Sequence, residues 1–196
     1  MPKRLFTPCL IVGMLFAGGC AAPFKETVAW PVLPVIGSSA TASDSQPLLL
    51  TKRELQAELA GAGVHFPMMS DDLYVRIRHA SLPVLLDWHE AMTAVYGFSP
   101  GELQAGGFAR DRSVRLLRMA VSTSLMREPA AVEAAPAIGM VLVKLRQPWG
   151  NIAAGESRDF VAVSTDRGLF LLDPVSRRIR PLVHDPAFGR FDFARF

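Results

Sequence analysis

Two hydrophobic patterns divide this chain, and they change over near Pro136. Before it, apolar residues recur every three or four positions. Leu85, Trp88, Met92 and Tyr96 share one helical face, and Val114, Leu117, Val121 and Leu125 share another from which Arg115 and Arg118 turn away. After it come short apolar runs, Met140–Leu145, Phe160–Ser164 and Leu169–Leu172, separated by turn-like Asp166-Arg167-Gly168 and Pro174-Val175-Ser176-Arg177. These read as strands, with a fourth over Ile179–Val183.

The boundaries follow from local chemistry. Thr51 and Glu54 have the spacing of a capping box and Leu50 stands where it can staple onto Leu55, so a helix starts at Lys52, runs to about Ala60 and stops at Gly61-Ala62-Gly63. Leu73, Val75 and Ile77 alternate with Tyr74, Arg76 and Arg78, which predicts a half-buried strand, a helix over Asp71–His79 being the competing reading. Pro83 opens a second helix where its missing N–H costs nothing, and Gly97 ends it. The third runs from about Asp111 to Met126, before Glu128-Pro129. The expected architecture is α+β: N-terminal helices packed on a C-terminal antiparallel sheet of about four strands, in one domain over residues 51–196. Its tail alternates aromatic and polar residues, with Phe188, Phe191, Phe193 and Phe196 as the rings. It reads as an edge strand or packed strip of the domain, or else as a strand that docks on a partner's sheet.

Upstream of the domain the pattern is that of an address. Lys3 and Arg4 precede an apolar run, Leu5–Phe16, and the small residues Ala17-Gly18-Gly19 lead to Cys20. This is the layout of a cleaved export signal, too short to span a hydrocarbon core of roughly 30 Å. Ala-Gly-Gly-Cys resembles the lipobox of bacterial lipoproteins, departing from it at Ala17, where Leu is usual; an ordinary secretory signal is the competing reading. The resemblance implies cleavage after residue 19, a thioether-linked diacylglycerol on Cys20 and acylation of its freed amine. It also implies an outer-membrane anchor on the periplasmic face, since Ala21 rather than Asp follows. Residues 20–50 then form a lipidated tether, rich in Pro, Gly and Ser, within which apolar Val28–Ile36 could dock as an extended strand.

Loss of the signal lowers the net charge from +3 to +1, because Lys3 and Arg4 leave with it. A near-neutral chain gives no footprint for nucleic acid. Cys9 leaves too, and Cys20 is lipidated, so no thiol remains for nucleophilic catalysis, zinc ligation or a disulfide. There is no Gly-rich phosphate loop, no H-E-x-x-H and no G-x-S-x-G. His65, His79, His89 and His184 show no i, i+4 pair, so neither His89-Glu90 nor His79 and Asp87 compose a metal site, and no cofactor is expected. Asp71-Asp72 read as a turn, and Ser113, Ser122 and Ser124 have no identifiable base.

One further likeness concerns the order of elements. Phe108-Ala109-Arg110-Asp111 opens a helix, a stretch containing Trp149 follows, Arg158-Asp159-Phe160-Val161 leads a strand, and Asp173-Pro174 ends the next. This resembles the core of transglutaminase- and papain-like cysteine hydrolases. The resemblance puts Arg110 in the place of the catalytic Cys, Arg158 in that of the His and Asp173 in that of the acid, which implies an inactive cleft able to hold a carboxylate or phosphate. The primary expectation is a non-enzymatic outer-membrane lipoprotein that binds another envelope component, a protein, and helps assemble or stabilise it. The alternative is a ligand-binding pseudoenzyme of that hydrolase ancestry.

Overall fold

Thr51 caps the first helix as its spacing predicts. In the computed structural model, which describes residues 48–96, 107–125, 133–150 and 152–196, excepting the side chains of 107–111 and 124–125, both halves of the capping box are present. The Thr51 hydroxyl accepts from the Glu54 backbone N–H at 3.3 Å, and the Glu54 carboxylate accepts from the Thr51 N–H at 2.6 Å. Those bonds hold the carboxyl below its usual range. The signal, Cys20, the Val28–Ile36 segment and the tether up to residue 47 lie outside the described residues, whereas Leu49 and Leu50, read from the sequence as the end of the tether, belong to a strand paired with Tyr74 and Val75.

Strands β1 (Leu49–Thr51), β2 (Phe66–Met68) and β3 (Leu73–Val75) interleave with helix α1 (Lys52–Gly61). Helices α2 (Leu82–Val95) and α3 (Gly107–Leu125) follow, and then β4 (Ala135–Pro136), β5 (Ile138–Leu145), β6 (Ser157–Thr165), β7 (Gly168–Asp173), β8 (Arg178–Pro181) and β9 (Gly189–Arg195). The class is α+β. The main sheet has six strands rather than about four, in the order β2-β9-β5-β6-β7-β8, and β1-β3-β4 form a small second sheet. All pairings in the main sheet are antiparallel except β2 with β9. The strands beyond four are β9, the aromatic tail whose alternation reads as an edge strand or packed strip, and its partner β2, which is three residues long with Pro67 at its centre. No short-range pattern marks β2.

Alternation along β6 sorts its side chains onto two cores. Phe160 and Ala162 enter one, shared with Leu55 and Leu59 of α1, Tyr74, Trp149, Phe188, Phe191 and Phe196. Val161 and Val163 enter the other, with Leu85, Trp88 and Met92 of α2 and Val114, Leu117 and Val121 of α3. The sheet is thus the middle of three layers. The strand at β3 is not half-buried as expected: Tyr74 faces the first core while Val75 and Ile77 face the second, so both faces are covered. Between β3 and α1 the buried Arg76 guanidinium pairs with Glu58, whose other oxygen accepts from the Ser164 hydroxyl at 3.2 Å. A buried cation is tolerated there because a carboxylate and a hydroxyl meet it.

Gly139 allows β9 to lie close to β5. A Cβ there would stand 2.2 Å from the Arg195 carbonyl and 2.7 Å from the Phe196 ring. No other residue fits. Phe196 is in turn bound at its backbone, its N–H donating to the Met68 carbonyl at 3.0 Å and its carbonyl accepting from the Ser70 hydroxyl at 2.9 Å. Among the described residues no helix is long and apolar enough to cross a membrane.

Candidate functional site

Beside β8 the first core opens into a cleft of about 490 Å³. One wall is Gln147, Pro148 and Trp149; the other is Arg178, Ile179 and Arg180 of β8, with Phe188 between. Each wall is fixed by identifiable local chemistry. Trp149 and Ile152 exchange both backbone hydrogen bonds, at 3.0 and 3.1 Å, around Gly150, whose φ of +62° favours glycine. That turn lays the indole on Phe160, centroid to centroid 4.7 Å and nearly parallel, with Phe188 edge-on at 5.3 Å. Such ring pairs add about 0.5–1.5 kcal/mol each beyond area burial.

On the opposite wall Arg180 is held from two sides. Its guanidinium lies 3.9 Å over the Phe188 ring and pairs with Asp185 at 2.5 Å. Asp185 also accepts from the Ala187 and Phe188 N–H groups, so the turn that places Phe188 places the counterion as well. The Pro174–Arg177 turn is organised by Asp173, which accepts from the N–H groups of Val175 and Ser176 and, at 2.6 Å, from the Ser176 hydroxyl. Arg177 adopts a left-handed φ of +55° and pairs with Asp87 and Glu90 of α2, which raise its pKa. This latches the turn to the helical layer.

The residues singled out in the sequence distribute as follows. Arg158 is the second residue of β6 and pairs with Glu156 at 3.1 Å. Asp173 ends β7 and caps its own turn. Both share the Phe160 and Leu171 face of the sheet, whereas α3, which carries Arg110, packs against the other face. The Arg110 side chain lies outside the described residues, as does Cys20. Of the tail rings, Phe188, Phe191 and Phe196 are core residues of the domain itself, and Phe193 is half-buried. The strand that carries Phe191 and Phe193 is interior, between β2 and β5, not an outlying docking strand.

Two polar groupings escape a reading of the sequence. Ser113 does have an imidazole partner: His89 Nε2 lies 3.0 Å from its Oγ, across the α2–α3 contact. Both residues are 2% exposed. Burial lowers the imidazole pKa from 6.5 to about 4, against the opposing charge of Glu90, so the ring is neutral at pH 7. The contact satisfies two buried polar groups. The second grouping is Arg76, Glu58 and Ser164, joined from three elements far apart in the chain. Asp71, for its part, accepts from Ser70 at 2.7 Å and Arg118 at 3.3 Å, while Asp72 stands 3.9 Å from Lys52. Among the described residues no three His, Cys, Asp or Glu side chains are placed to hold a metal ion.

No protein-family model matches the chain, and no curated protein matches it by sequence. Solved structures do. The PSL1a-E64 complex is similar at a TM-score of 0.50 and 15% identity over 77% of this chain and 52% of that one. The Polyporus squamosus lectin bound to a human-type influenza-binding epitope is similar at a TM-score of 0.48 and 15% identity, over 77% of this chain and 50% of that one. The chain spans about half the length of these structures, and its likeness to the first is one of fold.

Proposed function

We propose that this chain is a non-enzymatic lipoprotein of the outer membrane, anchored on the periplasmic face through Cys20, whose domain binds another protein component of the cell envelope through the cleft beside β8. The observation that carries the reading is the cleft. It joins two guanidiniums to aromatic walls at the open edge of a sheet, and such convergence of a few polar groups on an apolar concavity is how binding sites are built. The Ser113–His89 pair supports a binding role over hydrolysis, because both groups are in the core. The likeness of residues 1–20 to a lipoprotein signal supports the anchor.

Binding is tested by crosslinking in intact cells, extraction in mild detergent and mass spectrometry, comparing the wild type with Arg178→Glu. A stoichiometric envelope partner that is lost from the variant is the expected result; a partner recovered equally from both sinks the cleft as the site. The anchor is tested separately by fractionation. Cys20→Ser moves the protein out of the membrane fraction or leaves its signal uncleaved, and an unchanged fraction overturns lipidation, since each buried methylene of the lipid contributes about 0.8 kcal/mol.

A further inference from the structure

β8 is the outer strand of the six-stranded sheet, and its bonds to β7 fix which of its backbone groups face outward. The Leu182 N–H donates to the Leu169 carbonyl at 2.8 Å. Continued through the register Leu171↔Arg180 and Asp173↔Arg178, the antiparallel ladder turns the backbone of Arg178 and Arg180 in toward β7 and that of Ile179 and Pro181 out. Pro181 has no N–H. Among the described residues that outer edge therefore presents the Ile179 N–H as donor and the carbonyls of Ile179 and Pro181 as acceptors.

The side chains sort by the same register. Residues directly opposite in a ladder share a face, so Arg178 and Arg180 lie with Asp173 and Leu171, on the side where Trp149 and Phe188 close the cleft. Ile179 points to the other side and is 37% exposed. The cleft lining contains two guanidiniums and no carboxylate. Asp185 is engaged by Arg180, and both oxygens of Asp173 are engaged by its turn. Arg178 has no acidic partner among the described residues. Among the described residues, Arg178 thus stands without an acidic partner beside a strand edge with unused backbone groups.

We propose, resting on the reading of this cleft as the binding site, that its occupant is an extended acidic peptide segment that adds to the outer edge of β8. Backbone hydrogen bonds to Ile179 supply the alignment. A carboxylate meets Arg178 in a charge-assisted pair, with Arg180 already held by Asp185, and apolar side chains on the other face of the peptide lie beside Ile179. Pro181 limits the pairing to a short stretch, which keeps the edge from propagating into a longer sheet.

The test uses the full chain in a neutral detergent and fluorescein-labelled peptides of three kinds, read by anisotropy. One is acetyl-Val-Glu-Val-Glu-Val amide, one has Lys in place of Glu, and one is the Glu peptide N-methylated at its central residues. The Glu peptide is expected to bind, the other two to bind about tenfold more weakly or worse, and Arg178→Ala to weaken the Glu peptide by about tenfold while leaving the thermal melt unchanged. Equal binding of the Lys peptide overturns the acidic specificity, and equal binding of the N-methylated peptide overturns strand addition. Absence of Glu-peptide binding overturns the proposal as a whole. If in that case Arg178→Glu still loses the crosslinked envelope partner, the cleft remains the binding site and the ligand chemistry is at fault. If the partner is retained by Arg178→Glu, the reading of the cleft itself fails.

Discussion

The two faces of the main sheet are covered by different materials. On one, α2 and α3 lay down aliphatic side chains with Trp88 and Met92, and the buried His89 and Ser113 satisfy each other. On the other, a single ten-residue helix, α1, covers only part of the strands, and the remainder is filled by the rings of Trp149, Phe160, Phe188, Phe191 and Phe196. Aromatic rings bury 150–250 Å² each, so few are needed to close a face that has little helix over it. The closure stops short at β8. What the difference teaches is that the accessible chemistry of this domain arises where coverage is incomplete, and the histidine that meets a serine hydroxyl is buried where coverage is full.

The sharpest way to break this contrast is to remove residues 188–196. That takes away an interior strand and three core rings, so cooperative unfolding in urea, followed by circular dichroism, should be lost altogether. A truncated chain that still melts in one transition would show that the aromatic face does not need its tail. A smaller lesion compares the faces directly. Phe160→Ala should cost about 3–5 kcal/mol and Leu117→Ala about 2–5 kcal/mol. The first should also shift the emission of Trp149 to the red, because Trp149 stacks on Phe160.

Acid should act on the helical face. His89 has a folded pKa of about 4 against 6.5 unfolded, so the unfolded chain takes up a proton first as pH falls. The neutral-histidine stability is complete above pH 6.5 and is lost between 6.5 and 4, amounting to about 3 kcal/mol at 1.36 kcal/mol per pKa unit. His89→Gln should remove that part of the acid dependence, and a variant whose stability falls as steeply as the wild type would refute the assignment. The smallest effect belongs to the latch between layers. Arg177→Asn keeps a residue tolerant of positive φ but deletes exposed ion pairs to Asp87 and Glu90, so denaturation should register only a small loss that shrinks with added salt.

How far these features could be read in advance depended on the range of the interactions behind them. The α1 start was legible because Thr51 and Glu54 are three residues apart and cap each other. The β6–β7 hairpin was legible because Gly168 sits in its turn at a φ of +104°. β2 was not, since Phe66–Met68 becomes a strand only when β9 arrives beside it. For the same reason the tail looked like an edge or a docking element, although its strand lies between two others. Arg158 and Asp173 were placed correctly at strand ends, but their partners, Glu156 and Ser176, are neighbours in sequence rather than members of a common cleft. The cleft that does form depends on ring stacking between Trp149 and residues 11 and 39 positions away, for which no spacing rule exists.

The pairing of β2 with β9 sets a condition on how the domain is made. Phe66 meets Phe193 across 127 intervening sequence steps, so the chain must close a very long loop before the sheet is whole. Loops of that length slow folding. During synthesis or threading from one end, β5 would stay exposed on the side that β9 later occupies, presenting unpaired backbone to any passing strand. The finished fold conceals this interval, because the strand that arrives last lies between two others.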